Sequence, residues 1–418
     1  MNPIFLKNRV LRQDRIDSLY QFLISNYDDN SNSIYFKYGY EIMGPLLFSM
    51  CTWIQEQLEL RNIRKVYFCA RDGYLIQKSY KEIFQSESLQ NYYFYISRQT
   101  AHIASYNKNS TLDDILALSA PAKRWEFRTF IGELGLEDSK ETKHIWNDCG
   151  LSYDEVFTSR QAVEDKRVLN FFERQRDSIL ISSNNCRNLL VRYMQEIEFN
   201  GNVAIVDIGW NATTQKCLKE IVKQEAINTN IFGLYLGLNV GALSKDDGDA
   251  FLPLKIRIND AAFGLVEYPF LAPEGSLQRY SLSSNDEIEM KLHEYEFAGQ
   301  KEIIDNTQEG CLSFVRHAKN NKFKLSKMAA YSNFVRIVKT PTLREAKILG
   351  NVLFYDTKIH KIASPKPFSH YIFHPSVFKR DFNDSTWKMG FLKQVFIVPI
   401  NYYLIVFFLK RITKRGQG

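Results

Sequence analysis

Apolar positions change their spacing several times along the chain. From residue 17 to 60 they recur at helical intervals, as in GYEIMGPLLFSMCTWIQEQLELR, and Gly44-Pro45 marks a helix start or a kink. Residues 66–70 then form a continuous apolar run that predicts a buried strand over 65–70. It stops at Arg71-Asp72-Gly73, and a helix pattern follows from about Tyr74 to Phe84. YYFYIS, residues 92–97, predicts the next strand and ends at Ser97-Arg98. Strand, helix and strand within some 30 residues make a βαβ unit with parallel strands and a right-handed crossover.

The stretch NVAIVDIGWNATTQKCLKEIV, residues 202–222, repeats this logic. An apolar strand, Val203 to Val206, ends in Asp207. A loop containing Gly209 follows, and a helix opens at Thr213-Thr214-Gln215. IFGLYLGL, residues 231–238, is the next buried strand. Two βαβ units predict an α/β fold with an open, mostly parallel sheet of the phosphoribosyltransferase or Rossmann-like kind. Residues 110–200 read as a large helical insertion with polar breaks at 107–111 and 183–186, and residues 282–350 read as helical. The expected organisation is an α/β domain over 1–280, a helical region over 281–385 that could form an acceptor side, and a tail over 386–418.

Composition narrows the class. With 45% hydrophobic and 24% charged residues, the 418-residue chain is globular. The six cysteines are scattered without a CxxC pair, which disfavours structural zinc and disulfides and suits a reducing cytoplasm. A formal charge of +7 is mild, and no zinc-finger, homeodomain or RNP pattern is present, so nucleic acid is not the expected partner. P-loop, GxGxxG and GxSxG motifs are missing too. The first residues contain no continuous apolar run, so no secretory signal is expected there.

In open parallel sheets, ligands bind beyond the carboxyl ends of the strands. Both unusual turns fall there. At 207–215, a strand-end carboxylate, Gly209, Trp210, Asn211 and the hydroxyls of Thr213 and Thr214 stand before a helix N-terminus, whose unpaired N–H groups attract anions. At 71–73, Arg71 offers a fork of donors for phosphate, and Gly73 allows close backbone approach. Each turn alone reads equally as an ordinary cap or connection. With Ser97 and Arg98 at a neighbouring strand end, the set suits a ligand carrying two phosphate groups.

The segments YFCARDGYL, YFYISRQ and VDIGWNATTQ, in that order, resemble the glycan phosphoribosyltransferase domains of bacterial polysaccharide gene clusters, over roughly residues 35–280. EYPFLAPEGSLQRY, residues 267–280, is similar as well. The resemblance implies transfer of 5-phosphoribosyl from 5-phosphoribosyl-1-diphosphate (PRPP) to a glycan acceptor, lipid-linked or capsular, in surface polysaccharide synthesis. It implies Mg²⁺ at Asp72 or Asp207, catalytic carboxylates drawn from Asp72, Asp207 and Glu267, and donor contacts from Arg71, Gly73, Ser97, Arg98, Gly209, Trp210, Asn211, Thr213, Thr214 and Gln215. Relatives often carry a haloacid-dehalogenase-type phosphatase. Its signature, an apolar strand running into Asp-x-Asp, is not found here, so a separate phosphatase would remove the 5-phosphate, alongside other glycosyltransferases. Ordinary phosphoribosyltransferases carry two adjacent acids and a Thr-Gly pair, whereas here Ile208 follows Asp207 and Gln215 follows Thr214. Two other readings stay open: a nucleotide-sugar glycosyltransferase and a non-catalytic subunit of a membrane-bound assembly.

The tail is apolar and aromatic from Val395 to Leu409, broken at Pro399 and Asn401, and then basic at Lys410, Arg411, Lys414 and Arg415. It is shorter than the ~20 residues that span a bilayer. It reads as an in-plane anchor that would place the protein on the inner face of a bacterial cytoplasmic membrane, or else as a C-terminal core helix. His370 and His374 are four apart, but Pro375 favours a loop over a metal pair.

Overall fold

The computed structural model describes residues 4–5, 14–26, 33–84, 89–119, 125–253, 259–295, 298–355 and 359–406. The helix α1 (Gly44–Leu60) follows a single π turn at Gly39–Met43, so Gly44-Pro45 marks a start inside a longer helical run. Next come β1 (Lys65–Cys69), α2 (Gly73–Ile83), β2 (Gln90–Phe94), α3 (Arg98–Ser105) and the long α4 (Arg176–Glu196). Then follow β3 (Gly201–Trp210), α5 (Thr213–Gln224), β4 (Thr229–Leu238) and β5 (Gly248–Ala250).

The five strands form one sheet in the order β2-β1-β3-β4-β5, and every neighbouring pair is parallel. Val66 and Phe68 of β1 and Ala204 and Val206 of β3 point into one core. Their neighbours Tyr67, Cys69, Val203 and Ile205 point into the other. Alternation buried on both faces is what a parallel sheet covered by helices requires. Helices α1 and α2 cover the first face, and α3, α4 and α5 cover the second. The chain moves from β1 outward to β2, returns to β3 and proceeds the other way. The topological switch point therefore lies between β1 and β3.

Residues 103–179 carry a core of their own, with Trp125, Phe127, Phe130, Phe157 and Phe171 buried together. The insertion is mainly helical, with one short strand pair, Trp125–Glu126 against Val156–Phe157. Beyond the sheet lie α6 (Asn259–Glu267) and a hairpin of β6 (Leu277–Leu282) and β7 (Ile288–Leu292). This hairpin replaces the helix expected to begin at 282. The turn SSND, with Asp286 at φ 64°, reverses the chain, and Ile288, Met290 and Leu292 alternate on one side. The rest is helical: α7 (Lys301–Asn320), α8 (Lys327–Lys339), α9 (Leu343–Gly350), α10 (Phe368–Phe373), α11 (Pro375–Asp384) and α12 (Lys388–Phe396). The segment at 370–374 is thus largely helix rather than loop. Pro375 takes the first position of α11, where its missing N–H costs nothing.

The region from 386 onward begins inside the core. Trp387, Met389, Phe391, Leu392 and Val395 are buried against the same cluster as β1. The basic residues 410–415 lie outside the described residues.

Candidate functional site

The switch point collects the acidic residues singled out from the sequence. Asp72 stands just before α2 and does not cap it. Asp207 lies on β3 and accepts a hydrogen bond from the Ile208 N–H at 2.7 Å. The Asp72 and Asp207 carboxyls lie close enough to interact directly, and each perturbs the ionisation of the other. Glu267, at the end of α6, adds a third carboxyl and accepts the indole N–H of Trp210 at 2.9 Å.

All three residues are half-buried, and their carboxyl groups are closely surrounded by protein. Desolvation raises each pKa. Asp207 is pushed well above the ordinary range, by burial first and then by the negative charge of Asp72. Burial also raises Asp72, and the Arg71 guanidinium opposes that shift. Glu267 is pushed up to about 8 by burial and by Asp72, against the Trp210 hydrogen bond and the charges of Arg98 and Arg71. Three acids and two arginines therefore share one field. Clusters of strongly perturbed groups concentrate where proteins bind charged ligands or do proton chemistry.

The backbone of both turns is strained. Arg71 has φ 69°, Trp210 φ 79° and Ala212 φ 53°, all left-handed without a glycine's freedom, at about 1–3 kcal/mol each. Two glycines are required by close approach. A Cβ on Gly209, at φ 102°, would stand 2.4 Å from the Gly237 carbonyl. A Cβ on Gly73 would stand 2.9 Å from the Phe68 backbone, which is how α2 starts so close to β1.

Helix α5 begins after Ala212 with no side chain capping it, so neither Thr213 nor Thr214 is the cap. Asn211 is exposed, and its side-chain carbonyl accepts from Asn239 at 2.7 Å. Two expected donor contacts have other work. Gln215 is fully buried, donating to the carbonyls of Ile231 and Asp247 and accepting from the Tyr235 hydroxyl. It ties α5 to the sheet, because a buried amide must find partners. The Ser97 hydroxyl caps α3 in a reciprocal box with Thr100. Arg98, next to it, is exposed on the first turn and lies close enough to favour the ionised form of Glu267.

Sequence reasoning missed the support of Arg71. The Arg71 N–H donates to the Tyr93 hydroxyl at 2.8 Å, and Tyr93 donates in turn to Glu274 at 2.9 Å. The Tyr95 hydroxyl reaches the other Glu274 oxygen at 3.2 Å. Tyr93 and Tyr95 are two apart and so share a face at the end of β2. That spacing in YYFYIS was the available signal.

Among the described residues, no group of three or more His, Cys, Asp or Glu is arranged to hold a metal by itself. The His370 and His374 rings lie 4.7 Å apart, tilted by 41°, without a carboxylate completing a site. Two adjacent carboxyl groups do fit Mg²⁺ in the mode that takes one or two protein oxygens and the rest from substrate phosphates. Among known proteins, no family model matches this chain and no curated protein is similar enough to count as a match.

Proposed function

We propose that the protein transfers 5-phosphoribosyl from PRPP to a glycan hydroxyl, using the crevice between β1 and β3. The observation that carries this reading is the convergence of Asp72, Asp207 and Glu267 with Arg71 and Arg98 at the switch point, beside the uncapped start of α5. Cationic forks and a helix N-terminus suit the two phosphate ends of such a donor. Acidic groups suit the sugar between them, where positive charge develops in an oxocarbenium-like transition state.

In this reading the acceptor hydroxyl oxygen bonds to C1 of the ribose as the C1–O bond to pyrophosphate breaks. The ionised member of the Asp72–Asp207 pair takes the hydroxyl proton, and its charge faces the developing cation. Arg71 holds the departing pyrophosphate. Glu267, pushed up to about 8, holds its proton more readily than an ordinary carboxyl and in that form can donate a hydrogen bond to a ribose hydroxyl. Asp72 and Asp207 would hold Mg²⁺, which when bound supplies positive charge against the pyrophosphate. A lipid-linked acceptor would place the protein at the inner face of a membrane, where a separate phosphatase then removes the 5-phosphate. Among the described residues no helix is long and apolar enough to cross a membrane.

Calorimetric titration of PRPP with Mg²⁺, against a panel of nucleotide sugars, tests the proposal. Micromolar PRPP binding that weakens in Arg71→Ala and Asp207→Asn supports it. Binding of a nucleotide sugar alone moves the protein to nucleotide-sugar glycosyl transfer, and silence across the panel favours a non-catalytic role.

A further inference from the structure

More than half of the large apolar side chains that stand exposed among the described residues fall between Phe368 and Ile405. Scattered single exposures are ordinary, but a contiguous patch marks an interaction surface. These form such a patch. On α10, Ile372 and Phe373 are 58% and 77% exposed. Phe368 of the same helix meets Phe396 with ring centroids 5.4 Å apart. Phe396 leads in sequence to the exposed Ile397, Val398, Ile400, Leu404 and Ile405. Phe396 also stacks on Tyr402 at 6.2 Å, and Phe378 and Phe391 pack beneath it. The exposed side chains thus project from a firmly packed base.

Charge selects the occupant. Residues 366–418 contain nine Lys and Arg (366, 379, 380, 388, 393, 410, 411, 414 and 415) and two Asp (381 and 384), a balance of 9 − 2 = +7. The whole chain holds 54 Lys and Arg and 47 Asp and Glu, also +7, so residues 1–365 are formally neutral at 45 − 45. The entire excess of positive charge sits in the part of the sequence that carries the apolar patch. Two copies meeting through this surface would oppose like charges. A sheet of anionic headgroups over acyl chains matches both properties.

We infer that α10 and residues 396–405 together form an in-plane docking surface for an anionic lipid membrane. The helix α10 was not part of the tail anchor expected from the sequence, and the patch needs both segments. It also bears on the site: α12 packs against α6, a Cβ on Gly264 of α6 would meet Thr386 just before α12, and α6 carries Glu267. The crevice would therefore be held at a fixed orientation to a lipid-linked acceptor, and only this last step rests on the proposed transfer reaction.

The test is co-sedimentation of the full chain, without donor, with vesicles of phosphatidylcholine alone or with one-third phosphatidylglycerol. The expected result is binding to the anionic vesicles, reduced but not abolished in high salt, because the apolar term survives screening. The double variant Ile372→Glu with Phe373→Glu should lose roughly tenfold or more in partitioning, while PRPP calorimetry and thermal unfolding stay at wild-type values. Both side chains are largely exposed, so the fold does not depend on them. Wild-type partitioning by the double variant overturns the inference, as does failure of the wild type to bind anionic vesicles. A concentration-dependent dimer in light scattering, abolished by the same variant without vesicle binding, would assign the surface to a second copy instead. Because vesicle binding is read without donor, its failure leaves the transferase reading standing, and the reverse holds.

Discussion

The Trp210 indole N–H and the Glu267 carboxylate, 2.9 Å apart, tie the strained end of β3 to the helix α6. Trp210 can make this bond only because its φ of 79° turns the ring back across Gly237, where a Cβ would meet it at 2.8 Å. The indole favours the ionised carboxylate. Trp210→Phe should therefore raise the Glu267 pKa further and lower turnover, with a thermal stability loss of about 1–2 kcal/mol for the lost hydrogen bond. The alkaline limb of the pH–rate profile reads the first effect, and moving upward is the expected direction.

Glu267 also sets a stability window. The native state keeps its proton up to about 8, whereas the ordinary value is 4.5. Between these the native state binds the extra proton, so stability falls as pH rises through that window. The contribution is fully present below 4.5 and gone above 8. The same direction holds for Asp72 and Asp207, which are also raised. Glu267→Gln keeps an acceptor for Trp210 and cannot ionise. Its urea midpoint should vary less between pH 5 and 8 than that of the wild type. An unchanged slope would assign the pH dependence to the aspartates alone.

Asp207→Asn separates function from folding. Asp207→Asn leaves a neutral amide that can still hydrogen-bond Asp72 and carries no charge to be desolvated, so stability at pH 8 should hold or rise by about 1 kcal/mol. Turnover with PRPP should fall by about a hundredfold or more. A variant both destabilised and fully active would make the carboxyl structural.

How much of this was legible in the sequence follows from which signals are local. The apolar runs of β1 and β3 and the turns that end them are local, so the two βαβ units and the residues at their ends could be read directly. The strand order was not readable, because it depends on which strands pair after the insertion. That order puts Asp72 beside Asp207. The part of the hairpin from 282 onward reads as helix in the sequence because charged residues on its open side resemble a solvated helix face. Gln215 and Ser97 were assigned to the ligand because a polar residue beside a loop looks the same whether it meets a ligand or ties down its own backbone. Only the partners, Ile231 and Asp247 for one and Thr100 for the other, decide it.

Gly209 and Gly201 offer a matched pair. Both have positive φ, 102° and 75°, but a Cβ on Gly201 meets nothing within 4 Å whereas one on Gly209 strikes the Gly237 carbonyl. Gly201→Ala should cost only the left-handed backbone term, about 1 kcal/mol. Gly209→Ala should cost about 3 kcal/mol or more and displace the β3 turn. Chemical denaturation measures both. Equal losses would show that the turn yields easily and that its strain is not held by the β3–β4 contact.

Glu274 is expected to act on the donor through Arg71. Its two oxygens accept from Tyr93 and Tyr95, and Tyr93 in turn accepts the Arg71 N–H. This chain holds Arg71 at φ 69°, a conformation it would leave if the hydroxyl were lost. Tyr93→Phe removes the acceptor and the donor together, while Glu274→Gln keeps one acceptor oxygen and gives up the charge. In the proposed reaction Arg71 holds the pyrophosphate, so Tyr93→Phe should raise the PRPP dissociation constant about tenfold and Glu274→Gln by a smaller factor, a tenfold change being about 1.4 kcal/mol. A purely structural role would instead lower the unfolding midpoint and leave the donor affinity of the folded protein intact. Calorimetry and denaturation on the same two variants therefore separate positioning of Arg71 from simple support of the β1–β2 edge.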